Sequence, residues 1–222
     1  MKTKTVFQIT AALVTTILIG SSAYADHLKK ANRYLVTITN ITKGQIFSPP
    51  LLIVHNSDFH LFDTGQAAST ELAALAEDGN TSQLIDLLDT LPSVSASSVA
   101  AGPIQPGQSI TLEVRTDRRH TLLSLAGMLV TTNDAFVALK GVPLRNNQEV
   151  YAKAYDAGSE FNSENCAYIP GPPCENGGGV RDTEGAEGFV HIHSGIHGIG
   201  DLEPSQDDWQ NPVAKIMIQK TR

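Results

Sequence analysis

The chain has 222 residues, with 16 Lys and Arg against 23 Asp and Glu and a formal net charge of −7. That balance disfavours nucleic acid and anionic lipid as partners and suits solubility or cation binding. The length suffices for one domain with a full core, since a domain of about 200 residues buries roughly 70% of its unfolded surface.

The first 25 residues read as an export signal. Lys2 and Lys4 form a short basic start, an apolar stretch runs from about Val6 to Gly20, and Ala23-Tyr24-Ala25 supplies the small-x-small cleavage pattern. The apolar stretch is too short and too interrupted by threonine to span a bilayer, and no other segment approaches that length. The mature protein is then expected to begin near Asp26 and to be periplasmic or secreted. Without Lys2 and Lys4, 14 basic residues stand against 23 acidic ones, a net charge of −9. No Pro/Ser-rich linker or abrupt change of composition divides residues 26–222, so one domain is expected.

Most of that domain reads as strand. Residues 34–41 (YLVTITNI) and 109–116 (SITLEVRT) alternate bulky apolar and polar residues at period two. Residues 46–54 carry Pro49-Pro50, which predicts an edge or a bent strand. Residues 122–130 are continuously apolar, as in a strand buried on both faces. Residues 135–142, 149–155, 188–193 and 213–219 complete the set. Between them, residues 67–91 predict two short helices: Ser69-Thr70-Glu71-Leu72 offers a polar start, Gly79 a stop, and Thr81-Ser82 a second cap. Strands at intervals of about ten residues, with helices confined to one insertion, predict a mainly β, antiparallel β-sandwich.

Residues 157–187 form a long irregular segment, which a compact domain tolerates when it is stapled or functional. Cys166 and Cys174 lie there in a Pro/Gly-rich loop, and an oxidising compartment predicts a local disulfide between them.

Two acidic sites sit where strands meet loops. Asp134 occupies the turn in TTNDAF, and Asp156 and Glu160 flank a glycine in YDAGSE. A glycine between two carboxylates lets the backbone bend so that both face inward. Ca²⁺ needs that kind of oxygen-rich cage. The plain alternative is that Asp134 is a turn residue and Asp156 an Asx-type cap. A second constellation is the histidine cluster of EGFVHIHSGIHGIGD. His191 and His193 share one face of an extended strand, and His197 follows a glycine turn, a pattern suited to Zn²⁺ or Cu²⁺. Two in-strand histidines are also compatible with a purely structural role. Glu184 and Glu187 are candidate outer partners, while His55, His60 and His120 are candidates without a placement.

The ordered motifs MLVTTNDAFVALKG, YDAGSEFNSE, GAEGFVHIHSGIHGIGDL and WQNPVAKIMI resemble the spondin domain in its bacterial exported form, over roughly residues 34–218. The resemblance implies a C2-like β-sandwich that binds calcium through acidic loop side chains. Carried onto this chain, those ligands fall on Asp134, Asp156 and Glu160, the last being aspartate in the animal form. The resemblance implies a binding or adhesion module with an extracellular protein or glycan as ligand.

Motifs for catalysis are sparse. There is no G-x-S-x-G elbow, H-E-x-x-H, S-x-x-K or phosphate-binding loop, so no enzymatic activity is expected. The expected function is an exported calcium-binding module. The alternative is a periplasmic or secreted Cu²⁺ or Zn²⁺ binder using His191, His193 and His197.

Overall fold

The computed structural model describes residues 32–174 and 179–221; the expected export signal at residues 1–25 lies outside them. In chain order the elements are β1 (Asn32–Asn40), β2 (Leu51–His55), α1 (Thr70–Asp78), α2 (Ser82–Leu88), β3 (Val94–Val99) and β4 (Ser109–Thr116). They continue with β5 (Leu122–Met128), β6 (Ala135–Pro143), β7 (Gln148–Asp156), β8 (His191–Ile192), α3 (Pro204–Asp207) and β9 (Ala214–Thr221). All pairings are antiparallel. The hydrogen-bonded path runs β3-β2-β5-β6-β7-β9-β1-β4, with β8 added on β7. No described helix is long and apolar enough to cross a membrane.

Strand β7 makes this path into a sandwich. Its first half, Gln148 to Ala152, pairs with β9 in one sheet, and its second half, Lys153 to Asp156, pairs with β6 in the other. Where β9 leaves, the side-chain amide of Asn211 takes over the ladder. Its Oδ1 accepts from Ala154 N at 2.7 Å and its Nδ2 donates to Ala154 O at 3.3 Å. The strand therefore changes sheets without leaving a buried backbone group unpaired at Ala154.

The period-two pattern of β1 turns Tyr34, Val36 and Ile38 inward. Its outward threonines pair across strands, Thr37 with Thr111 and Thr39 with Ser109, each at 2.8 Å. The inner core joins Val36 and Ile38 to Leu52, Val54, Leu123, Leu125, Val137, Ile216 and Ile218. A second core lies on the far face of the β2-β5-β6 sheet, where Leu51, Ile53, Phe136 and Ala138 meet Leu72, Leu75, Leu84 and Leu88 of the helices. Alternate residues of β2 thus serve different layers, and all five are buried. At about 1.5–3 kcal/mol for each large apolar side chain, both layers contribute substantially to stability.

The two expected helices form. Ser69 Oγ accepts from Leu72 N at 3.2 Å, and Gly79 ends α1 in the left-handed region at φ +67°. Thr81 makes no capping bond; Asn80 Oδ1 accepts from Ser82 N instead. Two further expectations need correcting, and one strand lies outside those expected. The strand after Pro49-Pro50 is central rather than an edge, because both prolines precede it and β3 and β5 flank it. Strand β3, read as VSASSV, has no apolar alternation and was not expected. The 188–193 run yields only the two-residue β8, since the Val190 N–H and C=O bond to Gln66 and Gly65 of a loop. Cys166 and Cys174 are joined as a disulfide within the irregular segment.

Candidate functional site

Asp134 ends the turn between β5 and β6. Thr132 shapes that turn by donating to Leu129 O at 2.6 Å and accepting from Ala135 N at 3.0 Å. The Asp134 carboxyl is thereby aimed at the turn that follows β7. Its Oδ2 accepts from the backbone N–H groups of Ser159 and Glu160 at 2.8 and 2.9 Å, and from Ser159 Oγ at 3.2 Å. Gly158 within this turn allows the Phe189 backbone to pack against it. It has φ +67°, and a Cβ there would lie 2.3 Å from Phe189 O.

Asp156 closes the same turn from its other side. Its Oδ1 accepts from Gly158 N at 2.7 Å and its Oδ2 from Asn162 Nδ2 at 2.6 Å. Asn162 Oδ1 in turn accepts from His193 Nε2 at 2.9 Å, while His193 Nδ1 accepts from Gly195 N at 3.0 Å. The backbone donor fixes the His193 tautomer, with its proton on Nε2. The ring packs 5.0 Å from Trp209. Burial, then the neighbouring imidazoles of His191 and His197, lowers the His193 pKa to about 3.

Asp134, Asp156 and Glu160 all have no solvent exposure. Asp134 Oδ1 and both carboxylate oxygens of Glu160 have no partner in hydrogen-bond geometry. Burial raises the Glu160 pKa to about 8, against the lowering influence of Arg181 and with the charges of Glu77 and Asp134 adding to the rise. The backbone N–H of Asp182 opposes that rise weakly. Burial and the Asp156 charge raise Asp134 to about 7, and burial raises Asp156 as well. The cation nearest Glu160 is Arg181, whose Nε lies 3.5 Å from Oε1. That guanidinium is anchored elsewhere, to Glu77 at 2.6 Å and to Asp78.

The three acids singled out in the sequence are all buried around the turn after β7, Asp134 bonded to its backbone and Asp156 and Glu160 flanking it. Among the described residues, however, the group whose ligand atoms all lie within 4.8 Å of one another is Asp156, Glu187 and His191. The histidines are gathered only in part. His191 Nε2 and His193 Nε2 approach the two oxygens of Asp156 at 3.7 and 3.8 Å. His193 has both ring nitrogens occupied, and His197 turns its ring to Ser194 Oγ at 3.0 Å. His55 is buried between Asn56 O and Ser124 Oγ, His120 between Asp117 and Pro92 O, and His60 is exposed.

Sequence reasoning missed three residues that shape the site. Asn162 links Asp156 to His193, and Arg181 lies against Glu160 from an irregular segment. Glu164 accepts from the N–H groups of His197, Gly198 and Ile199 at 2.5, 2.7 and 2.9 Å, which holds the loop after the histidines. Asn162 and Glu164 stand in the stretch YDAGSEFNSE, yet the partners that give them a role, His193 and residues 197–199, lie 31 to 35 residues further on, and Arg181 belongs to no motif.

Residues 40–161 match the Spondin_N family, a span that contains all three carboxylates and stops short of the histidines. Spondin-2 of Homo sapiens is 31% identical over an alignment of 146 positions, and the match covers 56% of this chain. The chain spans 44% of the length of that relative.

Proposed function

The chain belongs to the Spondin_N family, and from that premise we propose that it is an exported calcium-binding β-sandwich module of the binding or adhesion type. Asp134, Asp156 and Glu160 supply the carboxylate ligands, and an extracellular protein or glycan is the macromolecular ligand. No catalytic step is part of this function.

The observation that carries the calcium reading is the set of unpartnered, fully buried oxygens: Asp134 Oδ1, Glu160 Oε1 and Glu160 Oε2. Buried carboxylate oxygens are seldom left without a donor or a cation. All-oxygen donors and several negative charges favour a hard cation over a soft one. Bound calcium would join the β5–β6 turn to the turn after β7. It would stabilise the fold by about 2.7 kcal/mol at free Ca²⁺ 100-fold above Kd.

The test is elemental analysis of protein purified without a metal-binding tag, paired with thermal melts in EGTA and in Ca²⁺. One calcium per chain with a melting point that falls in EGTA supports the reading. Absence of calcium together with identical melts in both buffers would sink it.

A further inference from the structure

We infer that His191, Asp156 and Glu187 form a second, softer metal site for Zn²⁺ or Cu²⁺, distinct from the all-carboxylate set and sharing only Asp156 with it. The inference goes beyond the calcium reading and rests on the geometry of one imidazole.

His191 stands directly opposite Asp156 in the β7–β8 pair, the arrangement in which cross-strand side chains share a face. Its Nδ1 lies 3.1 Å from Ile192 O. A carbonyl can only accept, so Nδ1 carries the ring proton and Nε2 presents its lone pair. That Nε2 is buried and has no hydrogen-bond partner. It faces Asp156 Oδ1 at 3.7 Å, too long for a hydrogen bond even with a proton on Nε2. Glu187 completes the set: His191, Asp156 and Glu187 each offer one ligand atom, all within 4.8 Å of one another.

A lone pair set against carboxylate oxygens is repulsive without a cation between them. Nitrogen and oxygen ligands at 2.0–2.2 Å from a tetrahedral Zn²⁺ lie about 3.4 Å apart, so the 3.7 Å separation needs little adjustment. The imidazole donor favours Zn²⁺ or Cu²⁺ over Ca²⁺. The Nδ1–H to carbonyl bond is the outer contact that orients metal-binding histidines. Asn162 Nδ2 donates to Asp156 Oδ2 at 2.6 Å and lies 3.5 Å from Glu187 Oε1, so it links the two carboxylates. Glu187 is exposed, so the site opens to solvent on that side, and a fourth position would be taken by water or by an incoming donor.

This ligand set differs from the three-histidine set suggested by the sequence. His193 spends both nitrogens inside the protein, and His197 turns to Ser194.

The test uses the full exported chain without a histidine tag, stripped with EDTA and titrated with ZnCl₂ by calorimetry. The cobalt-loaded form provides a spectroscopic readout. One Zn²⁺ per chain is expected. H191A should weaken binding by about 100-fold or more, given that loss of outer contacts alone costs about 10–100-fold. E187Q should weaken it less, and H197A should leave it unchanged. H191A should melt within a few degrees of wild type in EDTA and keep any Ca²⁺-dependent shift. D134N should lose that shift and keep zinc, which separates failure of this site from failure of the calcium site. Zinc affinity untouched by H191A, zinc lost in H197A, or no zinc bound by wild type would each overturn the assignment.

Discussion

The backbone N–H of Glu160 donates to Asp134 Oδ2 at 2.9 Å, while the Asp134 charge opposes ionisation of the Glu160 side chain. One residue thus stabilises its neighbour's carboxylate through its backbone and is destabilised by it through its side chain. A buried pair of this kind is suited to losing its protons to a metal.

The first prediction concerns pH. Both folded pKa values lie above the ordinary carboxylate range, at about 7 for Asp134 and about 8 for Glu160. The folded state therefore binds more protons than the unfolded state between about pH 4 and 8. Its stability from these groups is complete below that range and is lost as pH rises through 7 and 8. In EGTA the melting temperature should fall between about pH 5 and pH 8 and level off above, whereas the gain from added Ca²⁺ should grow over the same window. A flat EGTA profile, with a calcium gain independent of pH, would contradict this.

Asp134→Asn provides the matching substitution. The amide oxygen can keep the Ser159 and Glu160 contacts, and the negative charge against Glu160 and Asp156 disappears. The calcium-dependent melting shift should vanish, while the melt in EGTA at pH 8 should rise by a few degrees, on the order of 1 kcal/mol. A retained calcium shift would remove Asp134 from the ligand set.

His193 sets the acid limb. Its folded pKa of about 3 lies below the ordinary histidine value, so the unfolded state takes up a proton first as pH falls. Its contribution is present above about pH 6.5 and is lost as pH drops toward 3. His193→Gln should cost about 1–2 kcal/mol at pH 7 and flatten the loss of stability between pH 6.5 and 4.5. Urea titrations at several pH values measure both effects. An acid limb equally steep in the variant would mean that another group controls it.

Glu164 should matter as much as a core residue. Its carboxylate, almost fully buried, satisfies the N–H groups of His197, Gly198 and Ile199. Glu164→Ala should cost about 3 kcal/mol or more by urea denaturation, because each abandoned donor adds its own desolvation penalty. Amide exchange at residues 197–199 should accelerate selectively. A cost below about 1 kcal/mol would mean that water replaces the carboxylate.

Much of the sandwich was legible from the period-two alternation of β1 and β4 and the continuous apolar run of β5: 109–116 matches β4 end for end, and β1, β5, β6, β7 and β9 fall within a few residues of expectation. The failures have physical causes. Strand β3 is serine-rich and lies at the end of the sheet path, so it lacks the apolar alternation that identifies a strand. Pro49-Pro50 suggested an edge, yet proline constrains only the ladder positions it occupies, and the strand begins just after it. The carboxylates were visible as residues through their turn chemistry. Their burial, their open oxygens and the approach of Arg181 depend on contacts across the fold that no local spacing encodes. The histidines show the same limit: period two groups His191 with His193, but does not reveal that His193 has both ring nitrogens bonded while the His191 Nε2 beside Asp156 stays bare.

The change of partner along β7 bears on how this protein can vary in length. Its nine residues are read twice, against β9 up to Ala152 and against β6 from Lys153 onward. Adding or deleting one residue would shift one register while leaving the other in place. A one-residue slip exchanges the two faces of a strand, so Lys153 would turn toward the interior where Ala152 and Ala154 now lie. The same slip would carry Asp156 away from both the Glu160 turn and His191. Insertions and deletions among relatives are therefore expected to collect in the irregular stretch beyond Asn162, with the length of β7 held constant.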